Sequence, residues 1–222
     1  MQKLTKQTRH LILFYVIGLA TAMLFYSGGH YLDPDTVGYS LSKNFISDLL
    51  RTTSHSGADN LPSLIISVIS FIALLIALFR FLFLAADIFK KDFRNLVLLT
   101  KISAIWGCFC IFGVMVTPAD VPSLYGLHVF FANSIFYSSV VTLTCYAYLF
   151  SKKDMKNYAI ALLLCAVAAI GYIIIIEYGP APWMSVNALI LQVSAQKIIT
   201  LSLVSTVFYM TKGIDLLNDK IQ

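Results

Sequence analysis

Charged side chains are scarce, at 12% of the 222 residues, about half the share usual in a soluble domain. That excludes a water-soluble globule with an ordinary polar surface. The 59% apolar content points instead to a chain that crosses a membrane several times. Cysteine is scarce too: Cys108, Cys110, Cys145 and Cys165 all lie inside apolar runs, so no disulfide framework is present. Cys108 and Cys110 are two apart and point in different directions on a helix, which argues against a redox pair. There is no His-x-x-x-His, no His-Glu-x-x-His, no Gly-x-Ser-x-Gly and no glycine-rich phosphate loop. Three of the four histidines (His10, His30 and His55) fall outside the apolar runs. No metal and no cofactor are expected. Repeats and low-complexity segments are missing as well.

What the chain does have is six apolar runs, each close to the 20 residues a spanning helix needs. They cover residues 11–27, 61–86, 99–117, 125–150, 157–178 and 187–209. The first follows Lys3, Lys6 and Arg9 and lacks a small-x-small cleavage pattern, so it reads as an uncleaved span. The pattern predicts an all-α, six-span protein forming one transmembrane domain, residues 1–222. The net charge of +5 is no nucleic-acid signal, because the bases sit in short segments between runs. Lys90, Lys91, Arg94 and Lys101 separate runs two and three; Lys152, Lys153 and Lys156 separate four and five; Lys212 and Lys220 follow the sixth. The opposite connections hold Asp33, Asp35, Asp48, Asp59, Asp120 and Glu177, against Lys43 and Arg51. The positive-inside rule then predicts both termini in the cytoplasm and a plasma (inner) membrane location.

The connection from Gly28 to Asn60 is too long for a simple turn, and such loops often carry function. Leu41, Phe45, Ile46, Leu49 and Leu50 recur at helical spacing, which predicts a short amphipathic helix on the outer face or dipping between spans. Arg80 sits near a cytoplasmic span end and can snorkel.

Polar residues in or beside the spans gather at the outer ends. They include Asn44, Ser47, Asp48, Asn60, Thr117, Asp120, His128, Asn133, Glu177, Asn187, Gln192 and Gln196. Lys197 lies deepest, near the middle of the last run, where a charge needs a partner or a cavity. Gln192 and Gln196 share a helix face, and Lys197 is about 100° round from Gln196. An outward-facing polar pocket is expected, lined by Lys197, Gln196, Gln192, His128, Asp48, Ser47 and Asn44. Lys197 is expected to pair with Asp48, Asp120 or Glu177.

Asn44-Phe45-Ile46-Ser47-Asp48-Leu49, then Asn60-Leu61-Pro62-Ser63, Gly126-Leu127-His128 and Gln196-Lys197 follow one another at the loop, second, fourth and sixth spans. In that order the chain resembles the six-span bacterial and archaeal membrane proteins grouped as domain of unknown function 998. The likeness covers nearly the whole chain. The family usually continues Ser-Asp-Leu with Gly, where Leu50 stands here, and commonly has Arg where Lys197 stands. It is distantly similar to the Frag, DRAM and Sfk types of membrane protein, some of which are tied to lipid handling. The resemblance implies the six-span fold and brings no established activity.

Three functions follow as expectations. In the first, the pocket binds or modifies an anionic amphiphile such as a lipid headgroup; Lys197 neutralises the anion, and His128 with Asp48 does acid–base work. In the second, the polar cluster is a structural lock in a membrane scaffold or partner subunit. The third, a small-solute transporter, fits less well without repeats or broken helices.

Overall fold

The computed structural model describes residues 1–221. Six helices follow in order: α1 (Gln2–Leu24), α2 (Leu61–Ala85), α3 (Arg94–Val116), α4 (Pro122–Ser151), α5 (Lys156–Tyr178) and α6 (Val186–Ile221). All six are long and apolar enough to cross a membrane, and the protein is all-α and polytopic. Pro62 and Pro122 sit in the first turns of α2 and α4, where a missing N–H leaves no helical bond unmade. Gly179 caps α5, and Pro180 bars its continuation.

Hydropathy marks the immersed part of each helix and misses its polar extensions. α1 begins at Gln2 rather than Leu11, and α6 runs past Tyr209 to Ile221. These extensions hold each other. Arg9 pairs with Asp215 at 2.8 Å, Thr5 donates to the same carboxylate at 2.6 Å, and Gln2 donates to Asp219 at 3.3 Å. Thr211, Ile214 and Leu217 are buried on this part of α6.

Each helix packs on the next, and α6 returns to α1, which closes a ring. One end of the ring carries both described helix termini and the short α2–α3 and α4–α5 connections; we call it the terminal end. The other, the loop end, carries residues 25–60 and the α3–α4 and α5–α6 turns. Small residues set the closest seams, as in lipid, where packing rather than water exclusion joins helices. A Cβ on Gly18 would lie 2.0 Å from Ser70 Oγ, and one on Gly113 would lie 2.4 Å from the Phe131 ring. At the terminal end Lys101 pairs with Asp87 and Lys153 with Asp92, each at 2.7 Å.

The helix expected in the long connection is present as a five-residue 3-10 turn, Ile46–Leu50. It is shorter than the spacing predicts, because local capping stops it. The Asp48 carboxylate turns back to accept from Phe45 N at 2.8 Å, which ends any continuation toward Leu41. Ile46, Leu49 and Leu50 are buried, whereas Leu41 is exposed. The turn therefore sits between the helix ends and not on the surface.

Candidate functional site

Five of the six helices surround a partly open cavity. Its wall draws on α1 (Tyr15), α2 (Phe71 to Leu82), α3 (Ser103 to Val114), α4 (Ala132 to Tyr146) and α6 (Gln196 to Met210). α5 lends it no residue; it packs outside through Ala169 and Tyr172 against Phe136 and Ile199. About 150 Å³ is open to the centres of water-sized spheres. Most of the wall is apolar, and several hydroxyls on it are turned back on their own helices. Ser138 and Ser139 donate to Ile135 O, and Ser103 bonds Thr142 at 2.9 Å. At the far end Tyr146 OH donates to Leu82 O. At the loop end the wall is completed by Ile46, Ser47 and Gln196.

Ile46 and Ser47 belong to the connection 25–60, which folds over the loop end as a lid. Local chemistry shapes it first. Gly29 has φ +77°, and a Cβ there would lie 2.4 Å from Ser56 N, so the backbone approach requires glycine. Asn44 is fully buried; its side chain donates to Gly29 O at 2.8 Å and to Asp48 at 3.2 Å, and accepts from Ser40 N at 2.9 Å. Asp48 also meets His55 Nε2 at 3.1 Å. Inside the lid, then, a buried carboxylate is satisfied by Phe45, Asn44 and His55.

Three side chains, Gln196, Lys197 and Asp120, fasten the lid to the rest of the bundle. On α6, Gln196 Oε1 accepts from Ile46 N at 2.8 Å, and the Lys197 ammonium donates to Asn44 O. That ammonium also lies 5.2 Å from the Tyr39 ring centre. In the α3–α4 turn, Asp120 accepts from Thr52 N at 3.0 Å, from Thr53 N at 2.9 Å and from the Thr52 hydroxyl. Burial alone would raise the Asp120 pKa, but those hydrogen bonds outweigh it and hold the carboxyl below its usual value. Within the lid itself, Tyr26 OH accepts from His55 N at 3.2 Å.

His30, also in the lid, is buried, which lowers its pKa. Its Nδ1 accepts from Leu32 N at 3.2 Å, so its proton sits on Nε2, which has no partner among the described residues.

The expected site residues thus separate. Ser47 and Gln196 line the cavity. Asn44, Asp48 and Lys197 lie beside them in the lid and its clamp. Lys197 pairs with none of Asp48, Asp120 and Glu177; it holds a backbone carbonyl, because the folded lid brings Asn44 O within its reach. His128 is elsewhere, its Nδ1 2.6 Å from Thr117 O across the α3–α4 turn, so it does not meet Asp48 as a hydrogen-bonded acid–base pair. Gln192 faces α5, donating to Ile175 O at 3.0 Å and Pro180 O at 3.2 Å. Glu177 accepts from Tyr137 at 2.6 Å on the surface. Sequence reasoning missed His55 and Tyr39 as lid residues, although the Ser56-Gly57 turn after His55 signals a chain reversal.

No family model, curated protein or solved structure matches the chain. The loop end combines a mostly apolar cavity, a lid with a hydrogen-bonded polar core, and a lysine that fastens the lid.

Proposed function

We propose that the protein binds the apolar chain of an amphiphile in the axial cavity, with the headgroup at the loop end under the lid. The observation that carries this is the cavity itself, mostly apolar and lined from Ile46 at the loop end to Met210 on α6. We place the loop end outside and both termini in the cytoplasm of a plasma-membrane protein, on the distribution of lysine and arginine. The likeness to the six-span family stays part of this proposal.

The test is to fill the cavity. Val204→Phe from α6 and Ala104→Leu from α3 both add bulk to its wall. Each is expected to abolish uptake of a photoreactive lipid-chain probe by protein in nanodiscs, while thermal unfolding stays cooperative. Unchanged labelling by both variants would refute the reading.

A second reading is favoured by the Lys197–Asn44 bond. It holds that the polar cluster only locks a membrane scaffold. Under it the two cavity-filling variants leave function in cells intact, whereas loss of the Lys197 clamp destroys it. Uninterrupted spans speak against the transporter expectation, since transporter sites use broken helices.

A further inference from the structure

Resting on that reading, we infer that the ligand is a long-chain fatty acid, its carboxyl at Gln196, Ser47 and Thr200 and its alkyl chain running toward Met210. Shape comes first. Gln196 and Met210 are fourteen residues apart on α6, about 21 Å at the helical rise. Spread over that length, 150 Å³ gives the sphere centres an average cross-section of about 7 Å². Adding the sphere's own radius of about 1.4 Å makes a tube about 6 Å across. Carbon atoms pack about 4 Å apart, so a tube of that average width matches a single alkyl chain.

Polarity then orients the chain. The Tyr146 hydroxyl, beside the far end, is already used by Leu82 O, which leaves that end suited to a methyl group. The loop end differs. Ile46 N–H claims Gln196 Oε1 and so fixes the amide, leaving Nε2 as the free half. Gln196 Nε2, Ser47 Oγ and Thr200 Oγ1 all belong to cavity-lining residues and donate to no protein atom among the described residues. Three free donors at one end of an apolar tube call for an oxygen acceptor.

Charge selects a carboxyl over an alcohol or an alkane. Lys197 is the next residue on α6, and its ammonium has only neutral direct partners, the Asn44 carbonyl and the Tyr39 ring. No carboxylate of the protein lies within ion-pair distance among the described residues. Asp48, on the far side of Asn44, acts on this ammonium without touching it, and a ligand carboxylate at Gln196 adds a second counter-charge without displacing the lid clamp.

The experiment uses the full chain in nanodiscs of dioleoyl phosphatidylcholine and two palmitic acid probes. One carries a diazirine at the far end of the chain, the other a diazirine beside the carboxyl. Expected is labelling near Met210 and Tyr146 by the first and near Ser47, Gln196 and Thr200 by the second. Unlabelled palmitic acid should compete about tenfold better than hexadecane. The double change Gln196→Leu with Ser47→Ala should weaken palmitic acid about tenfold and leave hexadecane unchanged, as for one to two lost hydrogen bonds. Reversed labelling, equal competition by hexadecane, or displacement by cholesterol would overturn the fatty-acid assignment. If Val204→Phe still blocks labelling in that case, the chain-binding reading stands alone. Labelling indifferent to Val204→Phe and Ala104→Leu would overturn both. If the double variant does not fold, Thr200→Val tests the same head site with one donor removed.

Discussion

Lys197 is a cation in the middle of an apolar run, and its worth is set by what it fastens. Its bond to Asn44 O joins α6 to the lid. Lys197→Met keeps the length of the side chain and removes the charge. It is expected to cost about 1.5–3 kcal/mol, the range for a hydrogen bond to a charged group. Thermal unfolding measures the loss, and amide exchange should rise first in residues 40–50. Asp120 gives the lid an acid sensitivity. Its folded pKa is depressed, so its contribution is complete above the ordinary carboxylate value of about 4 and disappears as pH falls through the lower folded value. Unfolding temperatures from pH 7 to pH 3 should show this drop, and Asp120→Asn should flatten it. The sequence marks Lys197 as a residue in need of a partner, because charge deep in an apolar run is costly, and offers Asp48, Asp120 and Glu177 as candidates. It does not reveal the partners that Lys197 and Asp120 take, since Asn44 O and the Thr52 and Thr53 amides are backbone groups whose positions depend on how 25–60 folds.

At the scale of elements, six spans were legible from length and hydropathy alone. The polar ends of α1 and α6 were not, because tertiary contacts such as Arg9–Asp215 extend those helices beyond the apolar run. Periodicity places the lid's turn correctly and predicts it too long, since it sees Leu41 to Leu50 but not the cap that Asp48 makes. Gly29 is where the lid tolerates least. A methyl group there meets Ser56 N at 2.4 Å with the backbone at φ +77°. Gly29→Ala is therefore expected to destabilise by at least the roughly 1–2 kcal/mol of a left-handed non-glycine residue. Proteolysis within 25–60 should rise while the spans stay protected. Gly57 offers a control: its φ is also positive, at +81°, but nothing lies within 4 Å of a Cβ there.

For the whole molecule, the cavity was the part least visible in advance. It arises because the helices close a ring around a lumen that their side chains do not fill, and no local pattern encodes that shortfall. Orientation is open to direct measurement. Leu41 is 68% exposed on the lid, and all four native cysteines are buried. In intact cells, Leu41→Cys is expected to react with a membrane-impermeant maleimide, and Lys3→Cys only after lysis. The opposite pattern would invert the proposed topology.

α6 takes part in nearly everything described. It clamps the lid through Gln196 and Lys197, walls the cavity from Thr200 to Met210, and ties to α1 through Asp215. A single uninterrupted helix is a stiff rod, so its two ends share one angular setting. A twist of one residue's angle, about 100°, would carry Gln196 off Ile46 at one end and Asp215 off Arg9 at the other. The lid clamp at one end and the tie to α1 at the other are therefore carried on one continuous helix.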